Sequence, residues 1–111
     1  MKREKVYNCR LTKTSRTYPV TLRFQKYTNN QTLAVQLISA IPPWSRFATI
    51  TVNINGGGQD EKHAYLDTNN CPWAEEFIKD NNIAKLVEGV VGYSGFCQYP
   101  LYEFNLESKW E

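Results

Sequence analysis

Phe47-Ala48-Thr49-Ile50-Thr51-Val52-Asn53-Ile54 alternates apolar and polar side chains without a break. A period of two over such a length marks a strand with one buried face. It predicts Ala48, Ile50, Val52 and Ile54 facing inward, and Thr49, Thr51 and Asn53 facing outward. Asn55-Gly56-Gly57-Gly58 ends the run, and a short strand from His63 to Leu66 is expected to return antiparallel across that loop. Upstream, Ile41-Pro42-Pro43-Trp44-Ser45 interrupts any ladder, because proline lacks a donor and fixes φ. Before it lies another alternation, with Val20, Leu22 and Phe24 set against Thr21, Arg23 and Gln25. Thr28-Asn29-Asn30 is turn chemistry, and Leu33, Val35 and Leu37 line one face of a partner strand, so this segment reads as a hairpin.

Downstream, Asp67-Thr68-Asn69-Asn70-Cys71-Pro72 reads as a helix start. Asn70 is the expected cap, and Pro72 suits the first turn, where a missing N–H costs nothing. Trp73 with Phe77 and Ala74 with Ile78 share one helical face, which predicts a helix over about residues 71–80. Asn81-Asn82 can close it through the left-handed conformation. Ile83, Leu86 and Val87 then cover the sheet, Val90-Val91 begins a strand, and Gly92-Tyr93-Ser94-Gly95 is a loop. Tyr99, Leu101 and Phe104 mark a last strand over residues 99–106, with Pro100 placing its start at an edge or bulge. Hairpins, one helix and a returning strand give the α+β class. The expected architecture is a mainly antiparallel sheet of about five or six strands packed on one short helix. Residues 1–17 form a basic arm or edge strand, and residues 18–111 a single domain.

At 111 residues the chain supports one modest core. Its 41% hydrophobic and 22% charged residues are ordinary globular composition and exclude wholesale disorder. No apolar run reaches the length of a membrane span. The start, MKREKVYNCRLTK, has no apolar segment of the kind that directs secretion. Cys9, Cys71 and Cys97 form no CxxC pair, and an odd count points to reduced thiols in the cytoplasm. Charge is uneven. Residues 1–26 carry eight Lys and Arg against Glu4 alone, a balance of +7, whereas residues 27–111 carry five against ten acids, a balance of −5. Lys2, Arg3, Lys5 and Arg10 are therefore the candidate phosphate contacts, although Lys and Arg also guard an edge strand against aggregation. The acidic remainder should repel phosphate and confine such contact to the arm.

Catalytic constellations fail on inspection. Gly56-Gly57-Gly58 lacks the Lys-Ser/Thr ending of a phosphate loop and runs into Gln59, Asp60 and Glu61. Gly92-Tyr93-Ser94-Gly95-Phe96 lacks the last glycine of a nucleophile elbow. His63, Asp67 and Ser94 make a triad only on paper. His63, Cys71 and Cys97 have no zinc spacing, so neither a metal nor a cofactor is expected. Two surfaces stay open as binding candidates. Asp67, Thr68, Asn69 and Asn70 concentrate short polar side chains at a helix start, either as caps or as a seat for a small polar ligand. Ser94 and Phe96, with the aromatics Tyr93, Tyr99 and Tyr102, form either a contact surface, a stacking platform for bases or ordinary core.

Four pieces occur in order: Leu33-Ala34-Val35-Gln36-Leu37; Phe47-Ala48-Thr49-Ile50-Thr51-Val52-Asn53; Asp67-Thr68-Asn69-Asn70-Cys71-Pro72 leading into Glu76-Phe77-Ile78; and Ser94-Gly95-Phe96-Cys97-Gln98-Tyr99-Pro100-Leu101-Tyr102. Over about residues 18–106 this string resembles a family of small uncharacterised proteins, a domain of unknown function associated with conjugative elements and phages of gut-dwelling Firmicutes and Bacteroidetes. The arm 1–17 falls outside the resemblance. It implies an accessory, cytoplasmic role linked to mobile DNA and brings no catalytic residues. The expected function is therefore a non-enzymatic accessory protein that binds a protein partner, with blockade of a restriction or CRISPR nuclease as one anti-defence form. The alternative is a nucleic-acid-binding module using the basic arm and exposed tyrosines. The sequence does not fix the oligomeric state.

Overall fold

The computed structural model describes residues 3–12, 14–54 and 57–111. Among these the chain forms β1 (Tyr7–Arg10), β2 (Thr17–Lys26), β3 (Leu33–Ser39), β4 (Arg46–Thr49), β5 (Thr51–Val52), β6 (His63–Leu66), α1 (Ala74–Asp80), β7 (Ala84–Ser94) and β8 (Cys97–Phe104), with a 3-10 turn at Leu106–Lys109. The class is α+β and mostly antiparallel sheet. Two four-stranded sheets, ordered β1-β2-β3-β4 and β5-β6-β8-β7, stand where one sheet of about five or six strands was expected.

The β2–β3 hairpin forms as read, with Leu22 opposite Leu37 and Phe24 opposite Val35. Its left-handed residue is Gln31, at φ +61, rather than an asparagine. Asn30 serves the turn through its side chain, whose Oδ1 accepts from the Thr32 amide at 3.2 Å and hydroxyl at 2.8 Å.

The strand over 47–54 departs from its even alternation. It breaks at Ile50, pairing with β3 before the break and with β6 after it. Ile50 packs in the main core, yet Val52 and Ile54 pack in a separate cluster with Tyr65, Tyr99 and Leu101. Thr51, predicted to face outward, is buried. One irregular residue reverses the faces of everything after it. Where the ladder divides, the Thr51 hydroxyl accepts the Val35 amide at 3.1 Å and bonds the Tyr27 hydroxyl at 3.0 Å. A side chain thus replaces a missing backbone partner, which a buried amide requires.

The helix begins at Ala74, later than predicted, and Asn70 is not its cap. Asp67 organises the approach instead. Its Oδ1 accepts the Asn70 amide at 3.2 Å, its Oδ2 the Asn70 side-chain amide at 3.0 Å, and its carbonyl the Cys71 amide at 2.8 Å. Ala74, Phe77 and Ile78 are buried, as the periodicity requires. Asn82, at φ +54, closes the helix, and the Ile83 amide returns to the Ile78 carbonyl at 3.0 Å.

β7 is one long strand, not a cover segment followed by a strand start and a loop. Its pairing with β8 is irregular between Leu86 and Val91, with Gly89 at φ +79. β8 lies inside the sheet, but its pairing with β6 runs only from Leu101 to Glu103, so Pro100 faces no β6 amide. The main core joins both sheets to α1, with Leu22, Leu37, Ile50, Leu66, Ile78 and Tyr102 fully buried within it.

Candidate functional site

Ser94 pairs with Cys97, so Gly95-Phe96 is the whole connection between β7 and β8. Gly95 takes φ +61. A positive φ at the first position of a two-residue turn matches the strand twist and is free of strain only for glycine. Phe96 therefore sits at the tip with its side chain entirely in solvent, at 108% of its reference exposure. β7 is the sheet's edge, and Tyr93 is 64% exposed, with Val91 and Leu86 nearly half exposed. Leu86, Val91 and Tyr93 pair with Tyr102, Pro100 and Gln98, so they share one face. Helix α1 covers this face at Tyr102, whose hydroxyl donates to the Glu75 carboxylate, and leaves it open at Val91 and Tyr93. Burial, followed by Glu75, raises the pKa of Tyr102, so the tie holds through neutral pH. The product is an apolar edge and tip, unusual in a monomer unless something covers it.

Of the predicted surface residues, Ser94 and Phe96 meet at this tip. Tyr99 and Tyr102 do not join them. Both are buried, on opposite faces of β8, because they lie three apart on a strand of period two. The stacking platform built on them is therefore not formed. Asp67 is buried at 8% exposure, Thr68 is half-buried, and Asn69 and Asn70 are exposed. Burial first, then Cys97 and Asp67, raises the pKa of the Tyr99 hydroxyl. The Asp67 carboxylate is already engaged by Asn70.

The basic candidates do not form one strip. Arg3 stands 3.9 Å from Glu111, and Lys5 lies over the Tyr7 ring at 5.1 Å from its centroid. Arg10 lines a cleft with Trp73, Glu76 and Asp80 beside α1. Lys2 lies outside the described residues.

The paper triad is not assembled. The His63 ring places Nδ1 2.7 Å from Asp60 and Nε2 3.2 Å from Glu103, so both nitrogens are occupied away from Ser94. Desolvation of Asp60 is outweighed by hydrogen bonds from the Lys62 and His63 amides and the His63 ring, which hold its carboxyl below the usual range. Cys71 belongs to the main core while Cys97 packs against the second cluster, and among the described residues no three His, Cys, Asp or Glu side chains converge as a metal site. No described helix is long and apolar enough to cross a membrane.

Sequence reading missed Leu86, Val91 and Tyr93 as one open face, because the irregularity in β7 hides their common phase. Gly95 and the polar Ser94 were the available signal for the hairpin.

Residues 21–111 match the family model described as a domain of unknown function, DUF4313. No curated protein and no solved structure matches the chain.

Proposed function

The chain belongs to the DUF4313 family, and from that premise we propose that it is a non-enzymatic accessory protein of a bacterial mobile element or phage that acts by binding another protein. The β7–β8 hairpin carries this reading: Tyr93 stands in solvent on the edge strand and Phe96 at the hairpin tip, and neither packs in the core. An edge of this kind offers backbone pairing and apolar anchors together, which is how sheets recruit an extended partner segment. Aromatic anchors also carry a disproportionate share of binding energy at protein interfaces. The link to mobile elements rests on the resemblance of the Asp67–Pro72 and Ser94–Tyr102 strings. Blockade of a defence nuclease is one form such binding takes.

The test is affinity capture from nuclease-treated host lysate, comparing the wild type with the Tyr93→Ser, Phe96→Ser double variant. A discrete protein retained by the wild type and lost with the variant is expected, with the melting temperature of the two chains alike. Equal recovery by both, or recovery abolished by nuclease, contradicts the reading.

A further inference from the structure

A second surface lies in the other sheet, on the face of β2 and β3 turned away from the core. A groove of about 470 Å³ there is lined by Arg3, Arg23, Lys109, Ile38 and Trp44, with one acid, Glu4, among the other lining residues. Its cations come from three separated parts of the chain, Arg3 and Arg23 from the basic first 26 residues and Lys109 from the acidic remainder. They converge because the chain ends run together. The Lys5 amide donates to the Lys109 carbonyl at 2.8 Å, and the Glu111 amide to the Arg3 carbonyl at 2.8 Å. Arg23 reaches the same face through the outward phase of β2, beside Thr21.

Arg3 is only lightly neutralised, keeping 84% of its side chain exposed at 3.9 Å from Glu111. Lys109 is more engaged: its side chain is 25% exposed, 3.9 Å from Glu4, with its ammonium 4.7 Å from the centroid of the Trp110 ring. Arg23 makes no ion pair among the described residues, and neither does Arg46, which is paired with Ile38 across β3 and β4. The other wall is Trp44, 62% exposed. Its backbone sits at φ +55, a region that bulky side chains seldom occupy, and its amide donates to the Ile41 carbonyl at 2.8 Å. The adjoining Ser39 amide bonds the Ser45 carbonyl at 2.9 Å, so the indole is held out on a closed turn. The core makes no use of it. Uncommon backbone conformations held by surrounding structure concentrate at binding sites.

We propose that this groove binds single-stranded nucleic acid, with phosphates on Arg3, Arg23 and Lys109 and a base stacked on Trp44. The site goes beyond the protein contact on β7–β8 and shares no residue with it. A cationic track beside an exposed aromatic ring is the arrangement that follows a single-stranded backbone. Duplex is disfavoured because its bases are stacked and unavailable to the indole. An acidic peptide would meet the cations but would leave the flat indole without a planar partner.

The probe is a fluorescein-labelled oligo-dT of about 15 nucleotides, within the site sizes of single-strand binders, read by anisotropy across a salt series. Three phosphate contacts give a slope of log affinity against log salt near about −2. Arg23→Gln should weaken binding and flatten that slope by about 0.7. Trp44→Ala should weaken binding about 5- to 150-fold with the slope unchanged, since stacking releases no counterion. Trp44→Phe, which keeps a ring, should restore most of the affinity and serves as the second variant if Trp44→Ala proves unfolded in a melting scan. The proposal is overturned by no binding at about 50 mM salt, by binding that neither Arg23→Gln nor the Trp44 substitutions change, by tighter binding of the matching duplex, or by equal binding of a poly-glutamate peptide of the same length.

Discussion

At Asp67 one carboxylate fixes the loop that leads into α1. It is buried and accepts both the amide and the side chain of Asn70. Asp67→Ala should therefore cost about 1–3 kcal/mol, the range for losing a charged acceptor. Asn70→Ala should cost less than about 0.5 kcal/mol, because water reaches that exposed side chain. Urea unfolding of the two variants gives the comparison, and the reverse order would return the capping role to Asn70. The sequence showed that Asp67–Asn70 is a turn of short polar groups. It did not show which member accepts, since Asp and Asn are both strong caps and only burial separates them. The thiols differ in the same way. Cys9 is buried, and burial followed by the neighbouring Cys71 pushes its thiol up to about 12. Cys71 is raised as well, by burial and then by Asp67. In the native protein at neutral pH only the half-buried Cys97 should react promptly with a thiol reagent, and all three should react after denaturation without reductant. A cysteine that stays blocked in denaturant would reveal a disulfide and contradict this.

Among the elements, β7 was the least legible. Its edge position lets polar, charged and apolar residues follow one another without a clean period, and Gly89 and Gly92 resemble loop residues. Gly92 has a packing reason. A methyl there would meet Ile54 Cδ1 and come within 2.7 Å of the Tyr65 ring. Gly92→Ala should destabilise by about 1–3 kcal/mol, as overpacking does, whereas a change at Phe96 should leave stability alone. A Gly92→Ala variant that melts with the wild type would mean that β7 does not lie against Tyr65. The β2–β3 hairpin and the buried face of α1 were legible because strict periods of two and of 3.6 have one interpretation each. The strand over 47–54 shows the limit of that logic. Its alternation is real, yet the reversal at Ile50–Thr51 comes from pairing with two different sheets, a tertiary event absent from local pattern.

Across the whole molecule, burial raises the pKa of Tyr7, Tyr27, Tyr102 and Cys9. Each is favoured in its protonated form by folding, so its contribution is intact below the unfolded value and is lost as pH climbs toward the folded one. For Cys9 that window runs from 9.0 to about 12. The urea midpoint should hold up to about pH 8.5 and fall steadily by about pH 10.5. A midpoint unchanged across that interval would contradict the buried, protonated core. What remains on the outside is an apolar hairpin on one sheet and a cationic groove on the other, and neither was visible from composition. Protein binding through the hairpin is tested most directly by photo-crosslinking in host cells, with a benzophenone amino acid placed at Phe96, at Tyr93 and at the exposed control position Glu61. The expected result is one discrete protein adduct from Phe96 and Tyr93 and none from Glu61. Adducts of equal strength from all three positions, or none from the hairpin, would contradict it.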